Sequence, residues 1–151
     1  MERKDAQRPP AGALPGARVL LADDDEDLRR WLRAVVEDAG ATVAEAESGA
    51  VLLQRLTEAA FDLVLTDVRM SWTTGSRVLA MARAAGYQMP FVVITAHPTE
   101  PLRRELAQPG VELLEKPFEA ERLVATARRL LDQARRAGER RGRAAEPRLE
   151  G

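Results

Sequence analysis

Four short apolar runs recur along this chain with helix-like segments between them: ARVLLA (17–22), FDLVLTD (61–67), MPFVVITA (89–96) and VELL (111–114). That alternation constrains the fold more than any other feature. Apolar residues in unbroken succession, rather than at every second position, belong to strands covered on both faces. ATVAEAES (41–48) reads as a fifth, weaker strand. Between the runs the apolar residues recur at helical spacing: Leu28, Trp31, Leu32, Val35 and Val36 within 25–40, where Trp31 is expected in the core. Val51, Leu52, Leu53, Leu56 and Ala60 follow a capping Ser48, and Val78, Leu79 and Ala82 fall within 75–86. A short helix over 99–107 carries Pro101 near its first turn, where proline is tolerated. A last helix begins after KPF and runs at least to Gln133, with Leu123, Val124, Ala127, Leu130 and Leu131 as its apolar stripe. Gly40 and Gly86 suit helix stops.

Five strands alternating with five helices imply an α/β domain, a parallel sheet joined by right-handed crossovers with helices on both faces. The domain is expected over 17–133, after a flexible Pro/Gly/Ala-rich lead-in at 1–16. Residues 134–151 read as an Arg/Ala/Glu-rich tail that frays, too short and polar to be an output domain with its own core. In such sheets ligands sit beyond the C-terminal strand ends. Here those ends carry Asp23 and Asp24, Asp67, Thr95, and a position just before Lys116.

Composition removes several kinds of chemistry. There is no cysteine, hence no disulfide, thiolate nucleophile or Cys-ligated zinc, and the single histidine, His97, cannot build a multi-His metal site. A net charge of −1 argues against a dedicated nucleic-acid partner, and the arginines after Ala134 are interrupted by Glu139 and Glu146. No apolar run approaches the length of a membrane span, and the N-terminus has no signal-peptide core, so the expected location is the cytoplasm with no membrane partner.

The strand-end residues remain. If the strands ending at Asp23-Asp24 and Asp67 are neighbours, three carboxylates converge, and oxygen ligands without His or Cys suit a hard cation such as Mg²⁺. Without a cation their repulsion raises at least one pKa. Thr95 and Lys116 add a hydroxyl and an ammonium, donors for the oxygens of a transferred phosphoryl group. Phosphoryl transfer depends mainly on positioning and electrostatic stabilisation, which these groups supply. Asp67, standing alone before the flexible turn VRMSWTTG, is the better nucleophile. Asp25 differs, lying where a carboxylate caps the first helix.

VLLADDDEDLR, DLVLTDVRM…G, VVITA and EKPF, in this order and at these intervals, resemble the receiver domain of two-component response regulators over about residues 17–133. The resemblance implies a flavodoxin-like doubly wound sheet of order 2-1-3-4-5 with five helices. It further implies that Asp67 is the phosphoacceptor, that Asp24 ligates Mg²⁺ directly and Asp23 through a metal-bound water, and that the backbone carbonyl of Arg69 completes the metal site. Thr95 and Lys116 would contact the phosphoryl group, with the Lys116–Pro117 bond cis. Arg69 and His97 occupy positions placed to tune phosphate lifetime.

The implied role is a phosphoacceptor signalling protein in a phosphorelay, catalysing only its own phosphorylation and dephosphorylation. Its expected partners are a sensor histidine kinase or phosphotransfer protein, a downstream protein target, and a second copy in a phosphorylation-dependent homodimer. With no output domain expected, it would stand alone and work by protein contact. Three departures stand out. The turn after Asp67 reads Met70-Ser71-Trp72-Thr73-Thr74-Gly75 and lacks the usual proline, and Trp72 there is a candidate reporter of metal binding. The switch position, commonly aromatic, is Leu113. The segment after Thr95 is proline-rich, implying an altered fourth helix. Two other readings compete: a phosphorylation-independent pseudo-receiver serving as an interaction module, and a small phosphohydrolase of the haloacid-dehalogenase type. The second lacks its Asp-x-Asp-x-Thr signature here.

Overall fold

In a strand, neighbouring side chains point to opposite faces, yet Val19, Leu20, Leu21 and Ala22 are all inaccessible to solvent. Strand β1 (Arg18–Ala22) is therefore covered on both sides. The structure, a computed structural model, describes residues 12–70 and 73–145, with the side chains of 141–145 outside the description. From β1 the chain runs through α1 (Glu26–Asp38), β2 (Thr42–Ala46), α2 (Gly49–Glu58) and β3 (Leu63–Asp67). It continues through the two-residue strands β4 (Arg69–Met70) and β5 (Thr73–Thr74), then α3 (Gly75–Ala84), β6 (Phe91–Thr95), α4 (Glu100–Glu105), β7 (Val111–Glu115) and α5 (Ala120–Ala145).

The main sheet has the order β2-β1-β3-β6-β7, with every pair parallel. Setting aside the β4–β5 ribbon, this is the 2-1-3-4-5 doubly wound order with five helices. From β1 the chain steps outward to β2 and then back across to β3, so the order reverses at β1 and β3 and opens a crevice beyond their C-terminal ends. Alternate residues feed two cores. Val19, Leu21, Leu63, Leu65, Val92 and Ile94 pack under α1 and α5. Leu20, Ala22, Val64, Phe91 and Val93 pack under α2, α3 and α4.

Small oxygen-bearing side chains start four of the helices. Asp25 accepts from the Asp27 and Leu28 amides, Ser48 from Val51, Thr74 from Arg77 and Thr99 from Leu102. Each satisfies an amide that the first turn leaves without a partner.

Four expectations from sequence are corrected. The flexible lead-in does not extend to Ala13 and Leu14, which are buried; the Leu14 amide donates to the Ala39 carbonyl at 2.8 Å and that of Gly16 to Gly40 at 3.1 Å. An apolar pair without periodicity was enough to close the open end of the core. Residues 1–11 lie outside the described residues. The tail does not fray from Ala134: α5 continues to Ala145 because Ala, Arg and Glu favour helix without needing an apolar face. Residues 146–151 lie outside the described residues. Trp31 is 40% exposed rather than core, its ring tilted against Phe118 at 5.9 Å between centroids. Finally, the turn after Asp67 is not a loose loop at its base, since Arg69–Met70 pairs antiparallel with Thr73–Thr74; Ser71 and Trp72 lie outside the described residues.

Candidate functional site

Asp23 leaves β1 with its amide donating to the Ala46 carbonyl of β2 at 3.2 Å. Its side chain is fully buried; Oδ1 accepts from the Asp25 amide at 2.8 Å, and Oδ2 has no hydrogen-bond partner. Burial pushes its pKa from 3.8 up to about 6. The Asp25 N–H opposes the rise, the Asp67 charge adds to it, Lys116 opposes it and Asp24 adds to it, in decreasing order of effect. Asp24 is exposed at the mouth of the crevice.

Asp67 ends β3, one strand across the switch point. The Lys116 ammonium lies 3.3 Å from Asp67 Oδ2, and the Arg69 amide donates to Asp67 Oδ1 at 3.2 Å. Thr95, at the end of β6, is buried; its hydroxyl oxygen accepts from the His97 amide at 3.1 Å, and its carbonyl accepts from the Lys116 amide at 2.8 Å. Lys116 is thus held at both ends, its backbone by Thr95 and its ammonium by Asp67. The Lys116–Pro117 bond is cis. Gly75 meets Asp67 so closely that a Cβ there would lie 2.5 Å from the Asp67 carbonyl oxygen.

The structure therefore brings Asp23, Asp67, Thr95 and Lys116 to one sheet edge. Arg69 and His97 are exposed at its rim, while Leu113 lies one strand further out, part-buried against the α2–α3–α4 core and opposite Val93. Among the described residues, no three acidic or imidazole groups are gathered into a ready-made metal cage. A carboxylate oxygen buried without a donor, as Asp23 Oδ2 is, carries a large desolvation cost when ionised. An adjacent cation offsets that cost, and a hard one that retains several waters needs few protein oxygens. The residues present fit Mg²⁺.

Sequence reasoning missed two participants. Arg29 donates through Nη1 to the Asp23 carbonyl at 2.7 Å and through Nε to Glu45 Oε1 at 2.9 Å. Their spacing carries no pattern, because Arg29 lies on α1 and Glu45 on β2 and only folding joins them.

Residues 19–128 match the family model described as the response regulator receiver domain. The chain belongs to that family. This receiver is 35% identical over 136 residues to the C4-dicarboxylate transport transcriptional regulatory protein DctD of Rhizobium meliloti, covering 88% of this chain and 30% of that protein. With the transcriptional regulatory protein FixJ of Bradyrhizobium diazoefficiens it shares 32% identity, over 77% of this chain and 57% of FixJ. It thus spans about a third to just over half the length of these two relatives. It is also 33% identical to the response regulator receiver protein CpdR of Brucella abortus, over 76% of this chain and 96% of CpdR.

Among solved structures, the receiver superposes on chemotaxis response regulator CheY4 of Vibrio cholerae with a TM-score of 0.69 and 29% identity, covering 76% of this chain and 98% of that one. A response regulator receiver protein from Sinorhizobium medicae gives a TM-score of 0.71 and 33% identity, over 78% and 95% of the two chains. These neighbours share the flavodoxin-like sheet, and the strand order expected from the resemblance is the one observed.

Proposed function

We propose that this receiver accepts a phosphoryl group on Asp67 from the phosphohistidine of a sensor kinase or phosphotransfer protein, in a Mg²⁺-dependent reaction, and signals by protein contact. The observation that carries the reading is the contact of Lys116 Nζ with Asp67 Oδ2, beside a buried Asp23 oxygen that lacks a partner. Asp23, Asp24, Asp67 and the Arg69 carbonyl are the groups that would hold Mg²⁺. When bound, the ion neutralises charge on the carboxylates and on the incoming phosphoryl oxygens.

An Asp67 carboxylate oxygen forms a bond to phosphorus as the P–N bond breaks. The electron pair of that bond returns to the imidazole nitrogen, which takes up a proton. Lys116 then turns from the carboxylate to the new phosphoryl oxygens, and the Thr95 hydroxyl supplies a further donor. Hydrolysis reverses the modification: water attacks phosphorus, the O–P bond breaks, and inorganic phosphate leaves Asp67 as a carboxylate. Arg69 and His97 are exposed at the rim of the site, and we read them as tuning the access of that water and so the phosphate lifetime. The chain is accordingly a phosphoacceptor rather than an enzyme with a separate substrate.

The match over nearly all of CpdR, a response regulator receiver protein, supports a receiver that acts by itself, and we read its target as a protein or a second copy of itself. We place the receiver in the cytoplasm; among the described residues no helix is long and apolar enough to cross a membrane. One observation favours a second reading, a pseudo-receiver that signals without phosphate. Leu113 has no polar tip to follow a moving Thr95, and it is already packed against the core.

Intact-mass measurement after incubation with acetyl phosphate separates the two readings. The phosphoacceptor gains the mass of one phosphoryl group, only with Mg²⁺ present and not as Asp67→Asn. A folded chain that gains none under any condition is the pseudo-receiver.

A further inference from the structure

The Asp23–Asp24 peptide joins two of the carboxylates assigned to Mg²⁺, and its orientation sets how they are presented to each other. The two peptides that flank Asp23 are both held, Ala22–Asp23 through its N–H and Asp23–Asp24 through its C=O. The amide of Asp23 donates to the Ala46 carbonyl on β2. Its carbonyl accepts the short 2.7 Å bond from Arg29 Nη1. Arg29 is in turn fixed: Nε reaches Glu45 Oε1 at 2.9 Å, and its side chain is only 18% exposed. Arg33 Nη1 takes the other oxygen of Glu45 at 2.6 Å. Partial burial works to raise the Glu45 pKa, but the hydrogen bonds from Arg33 and Arg29 outweigh it and hold the carboxylate below its ordinary value, so it stays charged. A planar guanidinium bonded through two different nitrogens cannot rotate without losing one of the bonds, and lysine cannot replace it because its ammonium is a single point donor.

We propose that Arg29, braced by Glu45, is a positioning residue for the metal site: it locks the Asp23–Asp24 peptide against β2 and so sets the Mg²⁺ affinity without touching the ion or the phosphoryl group. This rests on the phosphoacceptor reading above. Partners that orient metal ligands from outside the coordination shell typically change affinity by about 10- to 100-fold, and Arg29 orients its ligands through their shared peptide. The neighbouring Arg30 makes a useful contrast, because its pairs with Glu26 and Asp27 are exposed and lead nowhere near Asp23.

The test is calorimetric titration of Mg²⁺ into the full chain, with phosphorylation by acetyl phosphate and thermal unfolding measured in parallel. Arg29→Ala is expected to weaken Mg²⁺ binding by about tenfold or more, with the phosphorylation rate at saturating Mg²⁺ largely restored. Arg29→Lys and Glu45→Gln should fall between it and the wild type, which keeps the inference testable if Arg29→Ala folds poorly. Arg30→Ala should bind as the wild type does. A fall in unfolding temperature for Arg29→Lys and Glu45→Gln with Mg²⁺ affinity within twofold of wild type overturns the inference and leaves Arg29 a purely structural clamp. A wild-type chain that binds no Mg²⁺ overturns the phosphoacceptor reading and this inference with it.

Discussion

Lys116 and Asp67 lie 49 positions apart in the chain, yet the ammonium of one sits 3.3 Å from a carboxylate oxygen of the other. Both side chains are mostly shielded from water, at 29% and 13% exposure, so their attraction is stronger than that of a surface pair. The same ammonium is the nearest positive group for the phosphoryl oxygens proposed to arrive on Asp67. Replacing it with Met preserves the stem and removes the charge. Lys116→Met is expected to slow phosphoryl acceptance on the order of a hundredfold, the scale for losing one preorganised donor. Intact-mass time courses at saturating Mg²⁺ read this directly.

Asp23 makes the metal-free fold sensitive to pH. Its pKa is 3.8 in the unfolded chain and about 6 in the folded one, mainly because of burial. Between those values the folded chain holds a proton that the unfolded chain has released, so stability falls as pH rises through this window, and the full penalty applies above pH 6. At about 1.4 kcal/mol per pH unit the cost is up to about 3 kcal/mol. Asp23→Asn should therefore be more stable than the wild type at pH 7.5 without Mg²⁺, by about 1–3 kcal/mol, and the difference should vanish below pH 4. Urea unfolding at the two pH values measures it. If Mg²⁺ stabilises the variant as much as the wild type, Asp23 has no part in holding the ion.

Gly75 shows how closely the chain passes behind Asp67. Its amide donates to the Val68 carbonyl at 2.8 Å, and a Cβ would meet the Asp67 carbonyl oxygen at 2.5 Å. That neighbour is backbone and cannot swing away. Gly75→Ala is expected to cost about 1–3 kcal/mol through overpacking and to slow phosphorylation by displacing Asp67. Gly138→Ala, with nothing within 4 Å of the new Cβ, should instead stabilise the exposed part of α5 by up to about 1 kcal/mol. Denaturant unfolding of the pair compares the two effects.

Leu14 lies ahead of the first strand and is 1% exposed, against Ala39 and the α1–α5 side of the core. Leu14→Ala is expected to cost about 2–4 kcal/mol, as for other buried leucines. A loss under about 0.5 kcal/mol, the range of surface substitutions, would mean that the segment does not hold that position in solution.

Much of this receiver is legible from its sequence because the relevant signals are local. The buried runs at 17–22, 61–67 and 89–96 declare covered strands, and all of them appear within a residue or two of the expected bounds. Ser48 and Asp25 cap the helices that follow them. Elsewhere the local pattern was silent or misled. Leu14 had no periodic company to mark it as core, and Trp31 matched the helical spacing yet faces the edge where Phe118 only partly covers it. The Arg-rich stretch after Ala134 lacked an apolar face but kept the backbone preferences of a helix, and helix it is.

The sequence by itself determined the order of elements, the side chains at the strand ends and, through four motifs, the family. It could do so because strand burial, helix caps and motif spacing are properties of neighbouring residues. Only the tertiary structure decided that Asp23 is the carboxylate stripped of water while Asp24 stays wet, that Lys116 is tied at once to Thr95 and Asp67, and that Arg29 and Glu45 brace the acidic turn. Those facts depend on dielectric and distance, and both are set when strands far apart in the chain are laid side by side.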